Sequence, residues 1–208
     1  MPRASTWLVT PDKFLTPAQV SRLREYVAGL SRDGRVAHER YVIRNGAIIE
    51  TLLGTGLRVS ELCALVVGDL FLDDGAANVL VRRGKGGKAG LVPVSDRLAR
   101  FLREYLTKKV DLGEGVAACD PVFVSERRGH LCRSAVHRIW KGALEGAGLD
   151  TRFGVHATRH SYAVEIYRKT RDLRLTQRLL RHSSPSVTQV YANLLDDDVR
   201  RGVAMVWA

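Results

Sequence analysis

Arg58, Lys85, His156, Arg159, His182 and Tyr191 are the side chains of this sequence whose types and spacing suit a chemical step. Together they supply what metal-free phosphoryl transfer demands: two guanidiniums for the non-bridging oxygens, a nucleophile, an acid for the departing oxygen, and imidazoles to move protons. Tyrosine has an ordinary pKa of about 10, so Tyr191 must lose its proton in place and be held in line with the phosphorus. Each local pattern is ambiguous alone. Gly56-Leu57-Arg58-Val59-Ser60-Glu61-Leu62 puts an arginine at the mouth of a short helix with Glu61 one turn later to orient it; by itself this reads as a surface salt bridge. Gly84-Lys85-Gly86-Gly87-Lys88 exposes two lysines on a turn where backbone can approach a phosphate, or is simply a flexible hairpin. It lacks the G-x-x-x-x-G-K-[ST] order of a nucleotide-binding loop, so nucleotide hydrolysis is not expected. In His156-Ala157-Thr158-Arg159-His160, Ala157 stands where a zinc peptidase needs glutamate. Arg159 shares a helix face with His156, and the two either converge on one anion or form a partly buried capping cluster. Leu179 to Tyr191 ends one helix at His182, restarts another at Ser184-Pro185, and brings in Tyr191 nine residues after the histidine.

The elements that must position these groups are readable from caps and periodicity. Thr16-Pro17-Ala18-Gln19 combines an N-cap, a first-turn proline and a capping-box glutamine, and Val20, Leu23, Val27 and Leu30 follow on one face. A second helix is expected from Val36 through Leu52, closed by Gly54 and Gly56, and a short third from about Ser60 to Val66. The period then changes. Leu70 to Leu72, Asn78 to Arg82 and Gly90 to Val94 are short β-prone runs separated by turn residues, predicting a small three-stranded antiparallel sheet. Ser95 caps a helix bearing Leu98, Phe101, Leu102 and Leu106, and Val110 to Asp120 reads as a loop. Further helices are expected near 134–145, 156–168, 174–181 and 185–192. The expected fold class is α+β, mainly helical.

Composition narrows the class of partner. Of 208 residues, 33 are Lys or Arg and 22 Asp or Glu, a net charge of +11 that favours a polyanion such as nucleic acid without identifying it. With 45% hydrophobic residues the chain can bury a sizeable core and is too apolar to be disordered. No run of about 18 apolar residues is present, and no signal-like stretch follows Met1-Pro2-Arg3, so a soluble cytoplasmic protein is expected. Cys63, Cys119 and Cys132 are far apart and read as free thiols.

Four boxes in order resemble the tyrosine recombinase, or phage-type integrase, family, over about Phe14 to Leu194. Thr55 to Leu62 resembles the box around the family's first catalytic arginine, with its acidic partner at Glu61. Gly84 to Lys88, followed by Val92-Pro93-Val94, resembles the G-K-G hairpin with the catalytic lysine at Lys85. His156 to His160 resembles the H-x-L-R-H box, and Leu180 to Tyr191 the L-G-H-S-S-x-x-x-T-x-x-Y box. Two departures stand out: Thr158 replaces the usual leucine, and Arg181 replaces the usual glycine before His182, where it can alter the bend that positions the histidine. The resemblance implies that Tyr191 attacks a DNA phosphate, forming a 3′-phosphotyrosyl bond and releasing a 5′-hydroxyl. Arg58 and Arg159 would hold the phosphate, Lys85 act as general acid, His156 help with proton transfer, and His182 hydrogen-bond the phosphate. Bond energy stays in the phosphotyrosine, so neither nucleotide nor metal cofactor is implied.

The implied partner is double-stranded DNA, bound by a tetramer on two sites, the chain being monomeric without DNA. Residues 1–13 read as an arm and 14–194 as the catalytic domain without the usual N-terminal clamp, either a short form such as the fimbrial phase-switch recombinases or a truncated piece of a longer protein. Residues 195–208 read as a tail helix whose Val199, Val203, Val206 and Trp207 pack on a neighbouring subunit or within the chain. Arg133, Arg138 and Lys141 on the helix near 134–145, with Lys88 on the hairpin, are the candidate DNA-binding cations; a solvated basic face is the ordinary alternative. Two other functions are compatible with the same boxes: a type IB topoisomerase-like enzyme, and a catalytically weak DNA-binding regulator or accessory protein on the same scaffold.

Overall fold

The computed structural model describes residues 13–30, 36–82 and 89–181. The expected arm before residue 13, the 185–192 helix and the tail lie outside these. Seven helices and three strands are described: α1 (Pro17–Leu30), α2 (Val36–Thr55), α3 (Val59–Cys63), β1 (Leu70–Phe71), β2 (Asn78–Val81), β3 (Gly90–Pro93), α4 (Asp96–Asp111), α5 (Arg133–Gly146), α6 (His156–Thr170) and α7 (Leu173–Leu180). The fold is α+β and mainly helical, with the sheet as a small appendage.

Local chemistry starts these helices where the sequence places the caps. Thr16 and Gln19 exchange hydrogen bonds, the backbone N–H of Thr16 donating to Gln19 Oε1 (2.8 Å) and that of Gln19 to Thr16 Oγ1 (3.3 Å), which satisfies two end groups of α1. Ser95 Oγ accepts from the backbone N–H of Leu98 at the start of α4. The α4 helix continues to Asp111, two residues into the expected loop, where Lys109 is buried. Its ammonium donates to Glu114 Oε2 (3.0 Å) and to the carbonyl of Pro121 (3.3 Å), drawing the following segment back onto the helix.

The α2 helix is the central strut. Ala47, Ile48, Ile49, Leu52 and Leu53 are all buried, and α1, α3, α4, α5 and α6 pack around it. Removing a Leu or Ile side chain of this kind from water stabilises the fold by about 1.5–3 kcal/mol. The helix ends at Thr55, between the two glycines the sequence places at its close. A Cβ at Gly54 would stand 2.8 Å from Leu98 Cδ2, so this glycine serves the close approach of α4 rather than a helix end. Gly56, with φ of +61°, makes the actual break. Helix α3 is shorter than expected, ending at Cys63, after which a 3-10 turn at Val67–Asp69 leads into the sheet.

The strands lie in the order β1-β2-β3, all antiparallel. Val79, Val81 and Val92 face the core, whereas Phe71 and Leu91 stay exposed. Val81 pairs with Gly90, so the G-K-G turn that carries Lys85 and Lys88 leaves the sheet at this last rung; residues 83–88 lie outside the described residues. Its base is fixed by Arg82, whose Nε donates to the buried Asp69 at 2.6 Å.

Candidate active site

Arg58 occupies the N-cap of α3 with extended backbone (φ −71°, ψ 151°), placed there by the turn at Gly56 and by the buried Leu57 and Val59 on either side. Glu61, one turn on, accepts the backbone N–H of Arg58 at Oε2 and its Nη1 at Oε1, both at 2.8 Å. The carboxylate is only 5% exposed, so Arg58 is held by a charge that water screens little. The Arg58 side chain itself remains 25% exposed.

Arg159 comes from the first turn of α6 and is buried, with Ala157 and Thr158 beside it. Its Nη1 donates to the carbonyl of Gly56 at 2.6 Å, and its Nη2 to the carbonyl of Leu180. These are carbonyls at the ends of α2 and α7, which have no partner within their own helices. One guanidinium thereby joins the box around Arg58, the histidine box and the start of the box containing Tyr191. His156, the first residue of α6, sits at the exposed rim of the cluster. Partial desolvation of its ring, and then the positive charges of Arg159, His137 and Arg58, hold its pKa below the ordinary histidine value. It is therefore neutral at pH 7 and able to accept a proton. His160, one turn along α6, is pushed down to about 4 by burial and then by His156, Arg159 and Lys13.

The structure thus brings Arg58, Glu61, His156 and Arg159 together from two helices, α3 and α6. Lys85, Lys88, His182 and Tyr191 lie outside the described residues, although α7 and Arg181 lead directly into His182. Arg133, Arg138 and Lys141 are exposed on α5. A spacing of eight, about two turns, puts Arg133 and Lys141 on one side of α5, whereas Arg138 lies around the helix beside a groove lined by Tyr26, Leu30 and Asn45. Lys141 also donates to the carbonyl of Thr151. His137 lies on the same side of α5 as Arg133 and Lys141, and its charge is among those that lower the His156 pKa. His137 was not singled out in the sequence, although its four-residue spacing from both cations is visible there. Cys63, Cys119 and Cys132 are free thiols, and burial raises that of Cys63 to about 11. Among the described residues no helix is long and apolar enough to cross a membrane.

A mainly helical domain with a three-stranded appendage and a paired-arginine cluster at its helix ends defines a class. The model of the phage integrase family matches residues 13–197, and the chain belongs to that family. Among curated relatives, the tyrosine recombinase XerD of Mycobacterium leprae is 36% identical over 201 residues, covering 94% of this chain and 60% of that protein. The tyrosine recombinase XerC of Pelobacter propionicus is 37% identical over 156 residues, covering 75% of this chain and 49% of its own length. The chain therefore spans about half to three fifths of the relatives it matches. Among solved structures, the XerA recombinase superposes with a TM-score of 0.73 at 26% identity, over 100% of this chain and 67% of that one. The XerH site-specific recombinase, solved bound to its difH substrate, shares the fold with a TM-score of 0.76 at 24% identity, covering 94% of this chain and 55% of that one.

Proposed function

We propose that the chain is the catalytic unit, over residues 14–194, of a tyrosine-type site-specific recombinase that cleaves and rejoins double-stranded DNA. The observation that carries the reading is the Arg159 guanidinium, joined to Gly56 at the Arg58 box and to Leu180 at the box that ends in Tyr191. Three separated stretches of sequence are tied at one positively charged point, which supports a site where groups from all three act on one phosphate. Kinship with named tyrosine recombinases at 36–37% identity supports the same reading.

In this reading Arg58 and Arg159 bind the non-bridging oxygens of the scissile phosphate, with Arg58 aimed by Glu61. The Tyr191 oxygen attacks phosphorus as its proton leaves, assisted by neutral His156. The bond to the 5′ oxygen breaks, Lys85 protonates that oxygen, and His182 hydrogen-bonds the phosphate. The resulting 3′-phosphotyrosyl ester retains the bond energy, and a 5′-hydroxyl reverses the step to reseal a strand. Arg133, Arg138, Lys141 and Lys88 contact the DNA, assembly is a tetramer on two sites, and the protein works in the cytoplasm in the integration, excision or inversion of a DNA element. Tyr191→Phe is expected to bind duplex DNA with unchanged affinity in a gel-shift assay while losing covalent attachment. An adduct that persists in that variant assigns the nucleophile elsewhere.

A further inference from the structure

Arg181 ends α7 with φ 52° and ψ 43°, the left-handed region, which is disfavoured for an L side chain and neutral for glycine. Its side chain is 17% exposed and lies along Gly90 of β3, where a Cβ would approach its Cδ to 3.2 Å. Its Nη2 donates to Glu61 Oε2 at 2.7 Å, across 120 residues of sequence. Its Nε and Nη1 are buried and have no acceptor among the described residues. A left-handed backbone and two buried donors without acceptors are both unfavourable, so fold stability alone does not account for an arginine here.

The contact with Glu61 does. Glu61 already holds Arg58 through both carboxylate oxygens, and an isolated Arg58–Glu61 pair is neutral, hence a weak receptor for an anion. A second guanidinium on Glu61 brings the trio to a net charge of +1 and adds a donor to Oε2, the oxygen that also accepts the Arg58 backbone N–H. Resting on the recombinase reading, we infer that Arg181 is a positioning residue. It acts through Glu61 to hold Arg58 in register and to keep that arginine's charge available to the scissile phosphate. Its side chain also packs against Gly90 of β3, so the sheet, α3 and α7 meet at this one arginine.

The test is a double-mutant cycle on the full chain with Arg181→Gly, Glu61→Gln and the pair, read as the rate of covalent adduct formation on saturating nicked duplex. Arg181→Gly is expected to fold, because glycine suits φ 52°, to bind duplex within about twofold of the parent, and to form adduct roughly tenfold more slowly. Arg181→Lys should recover part of that loss. In the Glu61→Gln background, Arg181→Gly should change the rate by less than about twofold. An unchanged rate in Arg181→Gly, or equal fold losses in both backgrounds, overturns the inference. Urea unfolding of the same four proteins without DNA gives a second reading that does not depend on cleavage. The midpoint shift caused by Arg181→Gly should be less favourable in the parent, where the ion pair with Glu61 is lost as the backbone strain is relieved, than beside Glu61→Gln, where no ion pair remains to lose. Equal shifts there overturn the linkage even if the parent forms no adduct, a result that would count separately against the recombinase reading.

Discussion

Arg159 commits donors to the carbonyls of Gly56 and Leu180, and a lysine, with one compact head on a flexible stem, cannot span both. Arg159→Lys is therefore expected to lose about 1.5–3 kcal/mol in urea unfolding, the worth of one buried hydrogen bond to a charged donor. Its adduct rate should fall at least about a hundredfold, as when a donor to developing charge is removed. A variant that keeps both stability and rate would show that Arg159 neither braces the helix ends nor meets the phosphate. The identities of Arg58, Glu61, His156 and Arg159 were legible from residue type and local spacing, since an i to i+3 pair or a helix N-terminus is a short-range fact. The partners of Arg159 and Arg181 were not. A carbonyl at Gly56 or a carboxylate at Glu61 becomes a neighbour only through the packing of α6 and α7 against α2 and α3. Arg181 showed in the sequence as a departure from glycine that bears on the bend at His182; its bond to Glu61 could be seen only in three dimensions.

At the scale of elements, the turn from α2 into α3 aims the site. Gly56 has φ of +61°, a Cβ there would stand 2.8 Å from Tyr162 Cδ1, and its carbonyl receives Arg159. Gly56→Ala combines backbone strain with a clash against a partly buried ring, and should cost about 2–3 kcal/mol in urea unfolding as well as slowing cleavage. Ser95→Ala removes only the cap of α4, far along the chain from the cluster, and should cost about 1 kcal/mol with no change in adduct rate once folded. If the two variants lose stability equally, Gly56 is not the strained pivot described here. Caps and turn residues made α1, α4 and the three strands readable, because each is decided within a few residues. Details set by tertiary contact were not. Helix α2 has Gly54 in its last turn, where α4 approaches closely, and α4 extends to Asp111, where Lys109 finds Glu114 and Pro121.

For the whole molecule, the low pKa of His160 has a consequence for acid stability. Its folded value is about 4, against about 6.5 in an unfolded chain, so the unfolded state takes up the proton first as pH falls. The stabilisation is complete above about pH 6.5, declines between there and about pH 4, and by linkage amounts to about 3 kcal/mol. His160→Gln should flatten the dependence of the urea midpoint over that window; parallel curves for the two proteins would contradict the assignment. The net charge of +11 makes a second molecular property testable, since DNA affinity should fall steeply and log-linearly with salt as counterions are released. A salt-independent affinity would contradict phosphate contacts by the α5 cations. The most direct measurement is incubation of the chain with a nicked duplex carrying the end sequences of its element, followed by a denaturing gel. A protein–DNA adduct that forms with the parent and is absent in Tyr191→Phe is the predicted result. Salt-sensitive binding to that duplex with no adduct would contradict covalent cleavage by this chain.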